Sequence, residues 1–177
     1  MEVQHQRRGV FPGSFNPLTV AHIEVARLAR LAHQLETVVL AVSRVALDKP
    51  APPGPSFEER IELLHADAAE HSWLVVAETE EQLIVDIAKG FDVVIMGADK
   101  WRQVNNARYY PSPADRDVAV ANLPTVVVAE RAGLAIEGRG IALLQTPQEL
   151  HGISSTDARN GDRHLMAPHA RNHWNES

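Results

Sequence analysis

Two short segments carry hydroxyls, glycines and cations at spacings that suit a bound phosphate. The first, Gly13-Ser14-Phe15-Asn16-Pro17-Leu18-Thr19-Val20-Ala21-His22, begins directly after the apolar pair Val10-Phe11 and runs into a stretch rich in Ala, Leu and Val. A strand-loop-helix junction presents unpaired backbone N–H groups and the positive end of a helix dipole, and both favour an anion. Gly13 lets the backbone approach such a ligand closely. Thr19 and His22 stand three apart, so they share a helical face and can point at the same anion. The second segment, Gly152-Ile153-Ser154-Ser155-Thr156-Asp157-Ala158-Arg159, again places hydroxyls and amides at a helix start. Arg159 lies one turn inside, where a guanidinium grips phosphate oxygens with several donors. Each segment alone has a plainer reading, as an ordinary helix cap with a surface histidine or arginine nearby. Two such junctions in one small chain outweigh it.

The elements around these segments alternate short apolar runs with helical periodicity, the pattern of parallel strands connected by helices. Strands are predicted at Val10-Phe11, Thr37 to Val42, Trp73 to Ala77, Asp92 to Met96, Thr125 to Ala129 and Ile141 to Leu144. A helix over 20 to 33 starts near Thr19 as N-cap. Ser56-Phe57-Glu58-Glu59 reads as a capping box ahead of Ile61, Leu64 and Ala68, and Thr79 to Gln82 as a second one ahead of Leu83, Ile84, Ile87 and Ala88. Gly90 ends that helix. Residues 43 to 55, with four prolines, are a loop. The stretch from Gly97 to Pro113 reads as polar, with Trp101, Arg102, Arg108, Tyr109 and Tyr110 either forming a substrate lid, the favoured reading, or stacking against the domain body, and short helices follow near 114 to 121 and from Ser155. The expected fold class is α/β: one domain over 1–177, an open parallel sheet with helices on both faces. Such sheets bind ligands beyond the carboxyl ends of their strands, so the loops after Phe11, Val42, Met96 and Leu144 share one face.

The chain has 177 residues, 45% of them apolar, enough to bury one core. Its 17 basic and 23 acidic residues give a net charge of -6, which argues against nucleic acid as a partner but leaves room for a small anionic substrate. The absence of cysteine excludes disulfides, thiolate zinc sites and a cysteine nucleophile. No apolar run approaches the roughly 18 to 20 residues of a membrane span. Arg7-Arg8 is followed by Gly-Val-Phe-Pro-Gly rather than a sustained apolar stretch, so a cytoplasmic location and no membrane partner are expected. His164, His169 and His173 match no closed zinc site and read as surface residues, with no protein-bound metal expected. A homo-oligomer is compatible with this pattern, because an exposed apolar patch has no signature in sequence.

Taken together, the two segments resemble the nucleotidyltransferases that share a His/Thr-x-Gly-His element and an Ile-Ser-Ser-Thr-x-x-Arg element. Within that superfamily the chain looks most like the nicotinate or nicotinamide mononucleotide adenylyltransferases, through Gly-Ser-Phe-Asn-Pro, Gly97-Ala98-Asp99 and Glu130-Arg131 near Gly133. The resemblance implies a Rossmann-like fold and transfer of AMP from ATP to a small phosphorylated acceptor, with magnesium carried by the triphosphate. It implies phosphate contacts from Thr19, His22 and Arg159, and nucleotide contacts from Gly13, Ser14, Phe15, Asp99, Ser155 and Thr156. Asn16, Lys49, Arg60 and Trp101 would contact the acceptor, Trp101 by stacking on its ring. Thr19 replaces the first histidine of the commonest form and Ala21 the usual glycine, whose added methyl would crowd a phosphate. The segment after Arg159 is short for the family, which implies a reduced wall on the adenine side. Transfer to another acceptor or from another base, as in cytidylyltransferases and phosphopantetheine adenylyltransferases, is the alternative within this fold. A nucleotide-binding regulator that keeps the fold and has lost catalysis is the alternative from another functional class.

Overall fold

A computed structural model of the chain describes residues 5–45, 47, 53–131, 133, 135–138 and 140–176. Six strands, β1 (Arg8–Pro12), β2 (Thr37–Ser43), β3 (Leu74–Thr79), β4 (Val93–Gly97), β5 (Thr125–Ala129) and β6 (Ile141–Leu144), form one parallel sheet in the order β3-β2-β1-β4-β5-β6. The helices are α1 (Val20–His33), α2 (Phe57–Ala68), α3 (Ile84–Ile87), α4 (Ala98–Val104), α5 (Pro113–Ala121), α6 (Ser155–Arg159) and α7 (Pro168–Glu176). Among the described residues, no helix is long and apolar enough to cross a membrane.

The inner strands β2, β1, β4 and β5 read as nearly continuous apolar runs because both of their faces are covered, whereas the edge strands β3 and β6 expose Val75 and Leu143. Side chains alternate along each strand and sort into two cores. Phe11, Val38, Leu40, Val42 and Ile95 pack with Ala26 and Ala29 of α1 and Leu64 of α2. Val10, Ala41, Val94 and Met96 face the other way, onto Trp101 and Val104 of α4 and Ala88. The chain builds β1, β2 and β3 in one direction, then returns to place β4 on the free edge of β1. That reversal is where open sheets bind ligands. Here β1 and β4 pair only through Gly9–Val10 against Val93–Val94, so they part before their carboxyl ends, whereas β1 and β2 stay paired through Pro12.

Strand positions match the apolar runs closely, and β5 and β6 occupy the predicted residues. Two expectations fail, each for a physical reason, and one helix, α7, goes unmarked in the sequence. Thr79 does not cap a helix: it ends β3 in register with Ser43, its hydroxyl accepts the Glu81 N–H at 3.1 Å, and α3 begins only at Ile84 without a side-chain cap. The stretch after Gly97 is not wholly irregular, because Ala98, Trp101 and Val104 recur at three-residue spacing and bury one face of α4. The terminal helix α7 has no local cap to announce it. Its cap is Asp67 of α2, whose carboxylate accepts the His169 N–H at 2.8 Å and the Ala170 N–H at 3.2 Å.

Asp67 is 1% exposed, and burial raises its carboxyl above the ordinary range even though both N–H groups oppose that shift. The carboxylate therefore ties α7 to α2 through the N–H groups that every helix start leaves unpaired. Asp67→Ala should cost about 1–2 kcal/mol by removing a cap and orphaning buried donors, seen as a lower melting temperature that Asp67→Asn partly restores.

Candidate active site

The loop after β1 makes a sharp reversal. Phe15 has φ 43°, a left-handed conformation that costs a side-chain-bearing residue roughly 1–2 kcal/mol. Gly13 makes the reversal sterically possible, since a Cβ there would lie 2.8 Å from Cζ of the Phe15 ring. The glycine thus makes room for Phe15 as much as for a ligand. Phe15 turns inward, edge-on to Phe11 at 5.5 Å and to His22 at 5.2 Å.

Thr19 and His22 form a reciprocal cap at the start of α1. The His22 N–H donates to the Thr19 hydroxyl at 3.3 Å, and the Thr19 N–H donates to His22 Nδ1 at 3.0 Å. A backbone N–H cannot act as acceptor, so Nδ1 must carry a lone pair. The neutral ring therefore holds its proton on Nε2, which has no protein partner among the described residues. Burial pushes the His22 pKa down to about 4, and a proton on Nδ1 would also oppose the Thr19 N–H. Thr19 is fully buried, so it does not reach a phosphate with its own hydroxyl as its spacing suggested. It orients His22 instead. Ala21 is likewise buried and lies outside the cavity lining, so its methyl crowds no ligand there.

The second segment closes on the first. Ser154 caps α6, accepting the Asp157 N–H at 3.1 Å. Ser155 donates its hydroxyl to the Pro17 carbonyl at 2.8 Å, and Arg159 donates to the Asn16 carbonyl and, at 3.3 Å, to the Thr156 hydroxyl.

Beside this clasp lies a cavity of about 670 Å³ at the carboxyl ends of β1 and β2. Gly13, Ser14, Arg60, Ser155, Thr156 and Arg159, from separate parts of the chain, all line it. Arg44, Lys100, Tyr109 and Tyr110 line it too, and so does an apolar wall of Leu83, Ile84, Ile87 and Val104. Among the described residues, none that lines it is acidic, in a chain of net charge -6. The cations differ in what they already hold. Arg44 bonds Glu78 at 2.5 Å and lies 3.6 and 3.8 Å from Glu58 and Glu80. Arg60 stacks on Phe57 at 5.1 Å with no carboxylate partner among the described residues, its Nε is buried and unpaired, and burial lowers its pKa.

Other expected contacts fall elsewhere. Phe15, Asn16, Thr19, His22 and Asp99 are outside the cavity lining, and Lys49 lies outside the described residues. Asp99 is exposed at the start of α4, paired with Arg131 at 2.6 Å. Trp101 is 6% exposed in the second core, its indole N–H donating to the Glu137 carbonyl at 2.7 Å, so it cannot stack on a ligand in the cavity. The expected lid is part of the body as well: Tyr110 donates its hydroxyl to the Val104 carbonyl at 2.8 Å. The apolar spacing of Leu83, Ile84 and Ile87 fits a core stripe, and only their position after the β3 edge strand could have marked them as cavity wall. The segment after Arg159 packs against α2 rather than walling an adenine pocket.

The His22 assignment is open to direct measurement. Imidazole nitrogen and carbon NMR shifts should report the Nε2–H tautomer at neutral pH and protonation only near pH 4. An Nδ1–H ring, or a titration near 6.5, would contradict the arrangement.

A family model described as cytidylyltransferase-like matches residues 10–161. Among curated proteins, the phosphopantetheine adenylyltransferase of Nitratidesulfovibrio vulgaris is 32% identical over 99 residues, covering 55% of this chain and 50% of that protein. The phosphopantetheine adenylyltransferase of Dinoroseobacter shibae is 32% identical over 97 residues, 51% of this chain and 54% of that one. A protein of Citrifermentans bemidjiense named a probable nicotinate-nucleotide adenylyltransferase is 26% identical over 150 residues, 77% of this chain and 66% of its own length. The chain thus spans half to two-thirds of the length of these relatives. The family match runs from β1 through α6 and includes both clasped segments: the chain belongs to the cytidylyltransferase-like family.

Proposed function

We propose that this chain transfers AMP from ATP to the phosphate of nicotinate or nicotinamide mononucleotide, releasing pyrophosphate. The observation that carries the reading is the convergence of both phosphate-type segments with Arg60 and Arg159 on one cavity, lined by no acidic side chain among the described residues. A phosphate monoester already presents an attacking oxygen at neutral pH, so no nucleophilic side chain is required. That oxygen bonds to the α-phosphorus in line, and the bond from this phosphorus to the bridging oxygen breaks, leaving as pyrophosphate. The protein's part is placement and charge stabilisation. Arg60 and Ser14 hold the acceptor's phosphate, Arg159 with Thr156 holds the outer phosphates, and neutral His22 offers its Nε2–H to the charge developing at the α-phosphate. Tyr109 and Tyr110 take over the ring contact that Trp101 cannot make. Asp99 meets the nucleoside on the β4–β5 half of the face. Magnesium travels on the triphosphate, because it binds mainly through substrate phosphates rather than a protein cage.

The wall of Leu83, Ile84, Ile87 and Val104 favours a second acceptor, phosphopantetheine, whose extended chain matches aliphatic side chains better than a flat ring does. Pyrophosphate release separates the two when ATP and CTP are crossed with nicotinate mononucleotide, nicotinamide mononucleotide, phosphopantetheine and glycerol 3-phosphate. Release with ATP and a pyridine mononucleotide is the expected result, and release with phosphopantetheine alone establishes the second reading. Measurable ATP binding with silence across the panel overturns catalysis in favour of a regulator.

In the active combination, His22→Ala should lower turnover by about 10²–10³-fold, the usual loss for one preorganised donor, with the fold retained by circular dichroism. Near-normal turnover would remove His22 from the mechanism.

A further inference from the structure

Trp174, in the last turns of α7, touches three segments of the site. Its side chain packs against the buried cluster of Ala158, Met166 and Ala170, which joins α6 to α7. It helps enclose a small void with Phe15, Pro17, Leu18 and Arg60. It also backs Gly54, which lines the cavity on its other side: a Cβ on Gly54 would lie 3.2 Å from Trp174 Cζ2 and 3.5 Å from Asn16 Oδ1. Gly54 has φ +138°, a conformation that favours glycine, and it leads through Pro55 into the Ser56 cap of α2, one turn before Arg60. Asn16 is 1% exposed, with neither amide atom paired among the described residues, and its Oδ1 lies beside this contact.

We propose that Trp174 is a positioning residue for the acceptor's phosphate: by backing Gly54 it fixes the entry to α2 and hence the place of Arg60 in the cavity wall. The inference rests on the proposed transfer reaction for its catalytic consequence, but the mechanical claim stands apart from it. A shortened side chain at 174 removes the support behind Gly54 and lets water reach the Asn16 amide. Arg60 then samples more positions and binds the acceptor's anion more weakly, while Arg159 keeps its own bonds to Asn16 and Thr156.

The test compares wild type, Trp174→Ala, Trp174→Phe and Gly54→Ala, the last reaching the same contact from the other side. In Trp174→Ala and Gly54→Ala, backbone hydrogen exchange over residues 54–60 should quicken about tenfold while α5 stays unchanged, and Trp174→Phe should restore protection. The acceptor KM should rise about tenfold, equivalent to about 1.4 kcal/mol, with kcat and the ATP KM essentially unmoved. Calorimetric binding of ribose 5-phosphate should weaken in parallel, and this arm is decisive even if wild type turns over no substrate in the panel. Unchanged exchange over 54–60, unchanged ribose 5-phosphate affinity, or equal loss for acceptor and ATP would each overturn the proposal. If Trp174→Ala fails to fold, Gly54→Ala and Trp174→Phe decide between the same outcomes by the same measurements.

Discussion

The carbonyl oxygens of Asn16 and Pro17 accept hydrogen bonds from Arg159 and Ser155, side chains 143 and 138 positions further along the chain. That closure adds to the burial of Phe15 and Leu18 and to the bond from the Ala167 N–H to the Leu18 carbonyl in holding the loop after β1. This loop has left the sheet ladder, carries Phe15 in a left-handed conformation, and must still deliver His22 at a defined angle. The clasp supplies the support from the far end of the fold, across the point where β1 and β4 part. It also couples the two segments, because any shift of α6 moves the backbone from which α1 begins.

Electrostatics then sorts the cavity's cations. Three carboxylates surround Arg44, and the same arginine stacks on Phe57 at 4.6 Å, so its charge is largely answered within the protein. Arg60 lies against the same ring with no carboxylate partner among the described residues, and part of its guanidinium has been taken from water. Taking a cation from water without a counter-ion is unfavourable, and an incoming anion relieves that cost. The acidic balance of the whole chain is therefore no obstacle to an anionic substrate. Glu58, Glu78 and Glu80 are engaged by Arg44, which leaves Arg60 and Arg159 to meet an incoming anion.

Much of this was legible in the sequence because it depends on local pattern. Strands buried on both faces announce themselves as apolar runs, Ser56 with Glu59 forms the box its spacing implies, and Gly13, Ser14, Arg60, Ser155, Thr156 and Arg159 meet at one cavity. What was not legible depends on partners distant in the chain. The cap of α7 is Asp67, about a hundred residues away, so no N-cap residue precedes Pro168 to mark the helix. Trp101 carries the same ring whether it faces a ligand or Val104 and Glu137, and only the turn of α4 decides between them. Thr79 had the composition of a cap, but pairing with β2 held it in the strand.

Position 19 shows why the first segment can depart from the commonest family form and keep its geometry. The group that holds His22 Nδ1 is the backbone N–H of residue 19, which every amino acid except proline provides. The side chain adds a second contact, since the Thr19 hydroxyl lies 2.9 Å from the same nitrogen. A histidine at that position is thus not needed to fix the tautomer, and threonine does so within a fully buried turn. Orientation of the donor is built into the start of the helix, so the chemistry at His22 constrains the path of the backbone more tightly than it constrains the neighbouring side chains.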